Sequence, residues 1–371
     1  MLAKGQSIIQ LMEELAPKHY AVPDDKIGLQ LGSLHKEISG VLVALDVNDE
    51  VIDEAIRLGA NLIIAHHAII YRPLAHLQTD SPAGRLYEKL IKHDIAVYIA
   101  HTNLDVAEGG VNDMMAQALG LTGLSPLEDV HTDKLKKLVV FVPVDHVERV
   151  REALFQAGAG WIGKYSHCSF NNEGTGTFVP EEGSEPFIGQ QGKLEKVQEI
   201  RLETIVPQSV EKRVVQAMLK AHPYEEVAYD LYQLDLKGRS FGLGRVGKLP
   251  APVTLEQLCE QVKTAYSVPA LRVVGDPQHS IRKVAVLGGS GSRYVRHALF
   301  AGADVLITGD IDYHTAQDAA AAGIALIDPG HNVEKIMKQG VADYLNSKLL
   351  QKKSTTPVFA SQIDTEPFRF A

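Results

Sequence analysis

The chain has 371 residues, which at roughly 150 residues per domain suits two or three domains. Hydrophobic residues make up 45% and charged residues 22%, a globular balance that excludes disorder and low complexity as its main theme. Lysine plus arginine number 37 against 46 aspartates and glutamates, a formal charge of −9, so no generic nucleic-acid partner is expected: phosphate contacts need a basic face.

At the N-terminus, Ile8, Leu11, Met12 and Leu15 recur at helical spacing, and no basic segment precedes an apolar one as in a targeting peptide. No apolar run approaches the ~18 residues that span a bilayer. Cys168 and Cys259 are far apart and in no metal-type spacing. The expectation is a cytoplasmic chain with no membrane span and no disulfide framework.

The first block, residues 1–127, reads as α/β. Val41–Leu45 predicts a buried strand. Asp49–Leu58 puts Val51, Ile52, Ala55 and Ile56 on one helical face, and Gly59 ends that helix. The run from Asn61 to Ala65 is the next strand, closed by His66 and His67. A helix from Gly84 to His93 then leads to a strand from Ile95 to Ala100. This rhythm implies right-handed crossovers and a mostly parallel sheet. The second block, residues 130–236, follows a βαββαβ order, which predicts an inserted ferredoxin-like domain. A glycine-rich stretch from Gly158 to Gly192 within it has no clear place. The third block, residues 241–371, returns to the α/β rhythm, with strands at 284–287, 304–308 and 324–327.

The outer blocks resemble one another. The 27 residues from Val41 align without a gap on those from Val284. Gly59 meets Gly302, and His67 meets Asp310. Setting Ile95 against Ile324 brings Asp105 opposite Glu334. The expected fold class is therefore a duplicated two-lobed α/β domain, residues 1–127 plus 241–371, split by the insert. Such a unit places ligands at the carboxyl ends of its strands.

Polar residues collect at those ends. At a strand end the chain can turn, so His66 and His67 can both reach one cavity. Neutral imidazole is the commonest nitrogen ligand for zinc and similar metals. An isolated pair is more often structural, but this one has company. The strand ending at Ala100 runs into His101 and then Asp105; the strand ending at Ile327 runs into His331 and then Glu334. Two histidines, a carboxylate, and a histidine three residues before another carboxylate form a mixed N/O set suited to one or two divalent ions. Helix capping or first-turn charge is the rival account of either carboxylate alone. Asp310 and His314, in the cluster after the 304–308 strand, are candidates to orient ligand imidazoles. Gly288–Ser292 is either a tight βα turn or a weak phosphate loop, and Arg293 beside it would suit an anion. The stretch from His222 to Glu226 reads as a structural turn.

Together, LIIAHHAIIYRPL, HTNLDVAEGGVND, VAVLGGSGS, LITGDIDYH and LIDPGHNVEK resemble the Nif-three-like family, also called the type-2 GTP cyclohydrolase I family. The middle block is similar to the PII/CutA-like insert of its longer bacterial members. The resemblance implies two α/β lobes around a dinuclear metal site and a homo-oligomer, a toroidal hexamer built from dimers. It implies His66, His67, Asp105, His331 and Glu334 as ligands of two divalent ions, zinc first, with manganese or iron as alternatives. It also implies an acid/base or water-positioning role for His101. Residues 24–30 resemble a further family motif, with Lys26 where asparagine is usual. Two functions follow as expectations. One is a metal-dependent hydrolase of GTP cyclohydrolase type, with a metal-activated water attacking a purine nucleotide ring, or its counterpart acting on another phosphate-containing substrate. The other is a non-enzymatic metal-binding regulatory or scaffold protein.

Overall fold

The computed structural model describes residues 1–369. The chain divides into two compact units, Met1–His131 with Phe241–Ala371, and Thr132–Ser240. It is a mixed α/β fold built on two sheets.

The first unit holds one whole sheet and part of the other. In the five-stranded sheet the order is Gly28–Leu31, Ala96–Ile99, Leu62–Ala65, Val41–Ala44 and Val358–Ala360. The first of these is antiparallel to its neighbour, and the other four run parallel. Every residue of the three central strands is buried. Continuous apolar runs of this kind belong to parallel strands covered on both faces. Alternation assigns the faces. Leu42, Ile63 and Val97 meet Val51, Ile52 and Leu90 of two helices, Asp49–Leu58 and Pro82–Lys92. Val41, Val43, Leu62 and Ile64 face a larger core shared with the second sheet.

The helix Asp49–Leu58 is fixed locally. Asn48 Oδ1 accepts from the amide of Val51 at 2.9 Å, and Gly59 takes the left-handed conformation, φ 67°, that closes the helix.

The first unit's part of the second sheet repeats this arrangement. Ser280–Ser290, Val305–Gly309 and Ala325–Asp328 run parallel, and Arg272–Val274 pairs antiparallel outside the last. In both sheets a short antiparallel edge strand precedes three consecutive parallel strands and lies beside the third; Val358–Ala360 adds a fourth parallel strand to the first sheet, and Tyr229–Thr254 precedes the edge strand of the second. Each edge strand also follows a helix, Gly5–Leu15 or Leu255–Tyr266.

The second unit follows the order strand, helix, strand, strand, helix, strand. Helices Val147–Gln156 and Glu211–Ala221 cover one sheet face, where Leu138, Val140, Leu202 and Val206 meet Val150, Leu154, Val214 and Met218. The unit's second strand is Ser169–Phe178, within the glycine-rich stretch. Its pairing with Glu195–Pro207 gives that stretch its place, because backbone hydrogen bonds do not need side chains. The first and last strands of this order are long, Thr122–Pro143 and Tyr229–Thr254. Their polar halves alternate around exposed faces and lack an apolar signature.

Candidate metal centre

The carboxyl ends of parallel strands from both sheets supply one cluster of side chains. His66 and His67 follow Leu62–Ala65, and His101 and Asp105 follow Ala96–Ile99. His331 and Glu334 lie in the 3-10 turn His331–Lys335 after Ala325–Asp328. His66 and His67 do not splay to opposite faces. The backbone turns there, and their ring centroids lie 5.1 Å apart.

Glu334 stands at the centre. Its Oε2 is 3.1 Å from His67 Nε2 and 3.3 Å from His331 Nε2. Its Oε1 faces His66 Nε2 at 3.7 Å, and Asp105 Oδ1 faces that nitrogen at 3.5 Å. One carboxylate thus addresses two sets of donors, His67 with His331 and His66 with Asp105. In each set, with Glu334, the candidate atoms lie within 4.8 Å of one another, and His66, His67 and His101 form a third such group.

Each imidazole is held from behind. His66 Nδ1 donates to the carbonyl of Ala100 at 2.9 Å. His67 Nδ1 meets Asp46 Oδ1, and His331 Nδ1 meets Asp310 Oδ2, both at 2.7 Å. His101 Nδ1 meets Asp25 Oδ1 at 2.8 Å. A proton on Nδ1 leaves the Nε2 lone pair for a cation, and carboxylate partners raise ligand basicity.

The electrostatics favour positive charge here. Burial opposes protonation of His67, but Asp46 and Glu334 outweigh it and raise its pKa to about 10. The hydrogen bond to Glu334 leads the rise of His331 to about 9, against the opposing effect of burial. Burial pushes Asp105 up to about 6, with His66 and His101 pulling the other way. Glu334 is just as deep, yet the surrounding imidazoles hold it well below the usual carboxylate range. Burial also acts to raise Asp25, but hydrogen bonds from His101 and Thr102 reverse this and keep it ionised.

Within this cluster two buried atoms have no hydrogen-bond partner among the described residues, His66 Nε2 and Asp105 Oδ1. Leaving a buried polar group unpaired costs about 1–3 kcal/mol. Burial opposes protonation of His66, but Asp105 and Glu334 outweigh it and raise its pKa, so the pair calls for a positive charge between nitrogen and carboxylate, which a metal ion or a proton supplies. The glycines point the same way. A Cβ on Gly289, φ 66°, would lie 2.7 Å from Glu334 Oε1, and one on Gly288 would lie 3.1 Å from it. Gly288 and Gly289 therefore make room for Glu334. They close the strand Ser280–Ser290, and Gly291 alone separates it from the turn Ser292–Tyr294 that leads into the next helix, so the GGSGS stretch joins a strand to a helix. The residues present fit a divalent metal.

The structure brings His66, His67, His101, Asp105, His331 and Glu334 together, with Asp310 behind His331. It does not bring Arg293 or His314 into contact with them. Arg293 lies over the Tyr294 ring and donates to its hydroxyl at 2.8 Å. His314 is exposed, edge-on to Tyr313. Sequence reasoning missed Asp46, which ends the first apolar run as His66 ends the second. It also missed Asn112, whose Nδ2 donates to the Asp105 carbonyl and whose Oδ1 accepts from the Gly288 amide, both at 2.9 Å. Asp25 was visible within the residue 24–30 motif but had no role until the fold set it against His101.

Residues 3–367 match the model of the family described as Duf34/NIF3 (NGG1p interacting factor 3). The chain belongs to the Duf34/NIF3 family. Among its relatives, a Halalkalibacterium halodurans protein named GTP cyclohydrolase 1 type 2 homolog is 57% identical, covering all of this chain and 99% of the relative. A Bacillus subtilis protein of the same name is 55% identical over 99% of this chain and 98% of its own length. The crystal structure of a Bacillus cereus protein related to NIF3 superposes with a TM-score of 0.94 at 54% identity, covering the whole of both chains. A Duf34/NIF3 chain thus carries histidine and carboxylate groups at its strand ends that could hold a metal ion.

Proposed function

We propose that this protein binds two divalent metal ions through His66, His67, Asp105, His331 and Glu334, and that it is a metal-dependent hydrolase of GTP cyclohydrolase type. The observation that carries the metal reading is Glu334, one oxygen turned to His66 and the other to His67 and His331. Nitrogen and oxygen donors of this kind accept zinc, with manganese or iron as alternatives. When bound, such ions would lower the pKa of a coordinated water and offset the charge of an anionic substrate.

The chain's own groups supply the rest. Asp46 and Asp310 hold the imidazoles of His67 and His331 in one orientation. Asp25 accepts the Nδ1 proton of His101, so Nε2 of that ring is free to take a proton and return it. The family relatives are named for a GTP cyclohydrolase, which supports a purine nucleotide as substrate. Asp310 completes this machinery. Arg293 and His314 could join it only through a substrate that extends to them.

The split into two units supports an inserted domain, and its βαββαβ order supports a ferredoxin-like, PII/CutA-like fold for it. The repeated strand order of the two sheets supports an internal duplication. A toroidal hexamer in the cytoplasm completes the reading. No helix among the described residues is long and apolar enough to cross a membrane. The second reading, a non-enzymatic metal-binding regulator, is favoured by the second unit having a hydrophobic core of its own.

The deciding experiment is GTP turnover by metal-loaded protein beside a His66→Ala, Glu334→Ala double variant. The enzyme reading expects ring-opened product from the first alone. Absence of metal-dependent turnover on any purine nucleotide would leave the regulatory reading.

A further inference from the structure

The second unit contains a cavity of about 710 Å³ that the metal chemistry does not use. Its size suits a drug-sized organic ligand. The helices cover one face of this unit's sheet, and the cavity lies on the other. Glu199 pairs with Gly174 and Phe141 with Arg201 across the strands, and all four line it. Gly174 and Gly176 leave its floor open. A Cβ on Gly174 would meet nothing within 4 Å, while one on Gly176 would strike Glu199 Oε2 at 2.2 Å.

The chemistry of the lining is specific. Glu199 is only 8% exposed. Its Oε1 accepts from the Tyr224 hydroxyl at 2.9 Å, and its Oε2 has no hydrogen-bond partner among the described residues. No basic side chain pairs with it there. Arg201, the one basic residue lining the cavity, is turned to Glu203, with Nε 3.0 Å from Oε1. Glu173, Glu225 and Glu226 add further negative charge. Phe178, Phe187 and Tyr224 line the cavity with Glu199. Phe178 and Phe187 lie 5.9 and 6.4 Å from the Tyr224 ring, centroid to centroid. His222 fixes Tyr224 in this arc. Its Nε2 donates to the Phe141 carbonyl and its Nδ1 accepts from the Tyr224 amide. The turn at residues 222–226 thus has a purpose beyond changing the chain's direction.

We infer that this cavity is a binding site for a small organic amine, an ammonium group carried on an apolar body. Aromatic faces attract ammonium groups, and a desolvated carboxylate completes their recognition. An anionic nucleotide would meet the same carboxylates with repulsion. The site is independent of the metal centre, so either assignment can fail without the other.

Ligand-observed NMR on the full-length protein tests this, with tyramine, phenethylamine and choline as probes. The neutral 4-ethylphenol serves as the counterpart of tyramine, and GTP as the anion. At least one amine is expected to bind, and 4-ethylphenol to bind more weakly than tyramine where tyramine binds. Glu199→Gln keeps the shape and the Tyr224 contact but removes the charge, and should weaken the amine roughly tenfold. Gly174→Leu fills the floor and should abolish binding. If that variant does not fold, by its melting curve, the isosteric Glu199→Gln decides alone. The inference is overturned if none of the three amines binds, if Glu199→Gln binds them as well as the natural chain does, or if GTP binds in a way that Gly174→Leu removes.

Discussion

The carboxylates behind the histidines carry as much of the site as the histidines themselves. Asp46 and Asp310 each hold an Nδ1 at 2.7 Å and so decide which nitrogen faces Glu334. Outer partners of this kind typically contribute about 10–100-fold to metal affinity. Asp46→Asn and Asp310→Asn should each weaken metal binding by that order in a competition titration against a chelating dye, with folding intact. Unchanged affinity in both variants would remove these residues from the account. The same groups set a pH dependence for the metal-free protein. His67 and His331 are raised from 6.5 to about 10 and about 9. A ring whose folded pKa lies above its unfolded value stabilises the fold fully below the unfolded value, and that contribution fades as pH rises through the folded one. The melting temperature of chelator-treated protein should therefore fall between pH 7 and pH 10, and fall less in Glu334→Gln. An equal fall in both would show that the cluster is not the source.

Elements place these residues, and one buried pair holds the elements. Arg245 Nε donates to Asp113 Oδ1 at 2.6 Å and its Nη2 to Oδ2 at 3.1 Å. The three remaining guanidinium protons are shared among the carbonyls of Gly242, Gly244, Val106 and Ala107. This ties the chain just after Asp105 to the strand Tyr229–Thr254. Removing one partner strands a buried charge, at a cost of about 3–5 kcal/mol. Asp113→Ala should lower stability by that amount in a urea titration; a loss under 1 kcal/mol would mean the pair is relieved by water. Sequence reasoning read the central strands and the Asp49–Leu58 helix well, because apolar runs and a glycine stop are local signals. It passed over the helix Leu255–Tyr266, although Thr254 and Gln257 form a capping box there. The edge strands Gly28–Leu31 and Arg272–Val274 are too short to stand out. They exist because a neighbouring strand supplies their hydrogen bonds.

At the scale of the whole molecule, the cluster draws on both sheets of the first unit. Asp105 and Glu334 each follow a parallel strand that lies beside its sheet's short antiparallel edge strand. The two are not equal. Glu334 is one methylene longer and reaches three imidazoles, while Asp105 reaches His66 alone. The ligand candidates were legible because chemistry collects at strand ends. Of their supports, Asp310 was legible at a strand end, but Asp25 and Asp46 were not, because they come close to the histidines only after the chain folds. The central claim is that Glu334 joins two metal positions, one with His66 and Asp105, the other with His67 and His331. Anomalous diffraction at the zinc edge, on crystals of zinc-loaded protein, tests it directly. The account predicts two peaks within about 2.0–2.2 Å of these side-chain atoms, one on each side of Glu334. A single peak, or peaks that leave Glu334 uncoordinated, would contradict it.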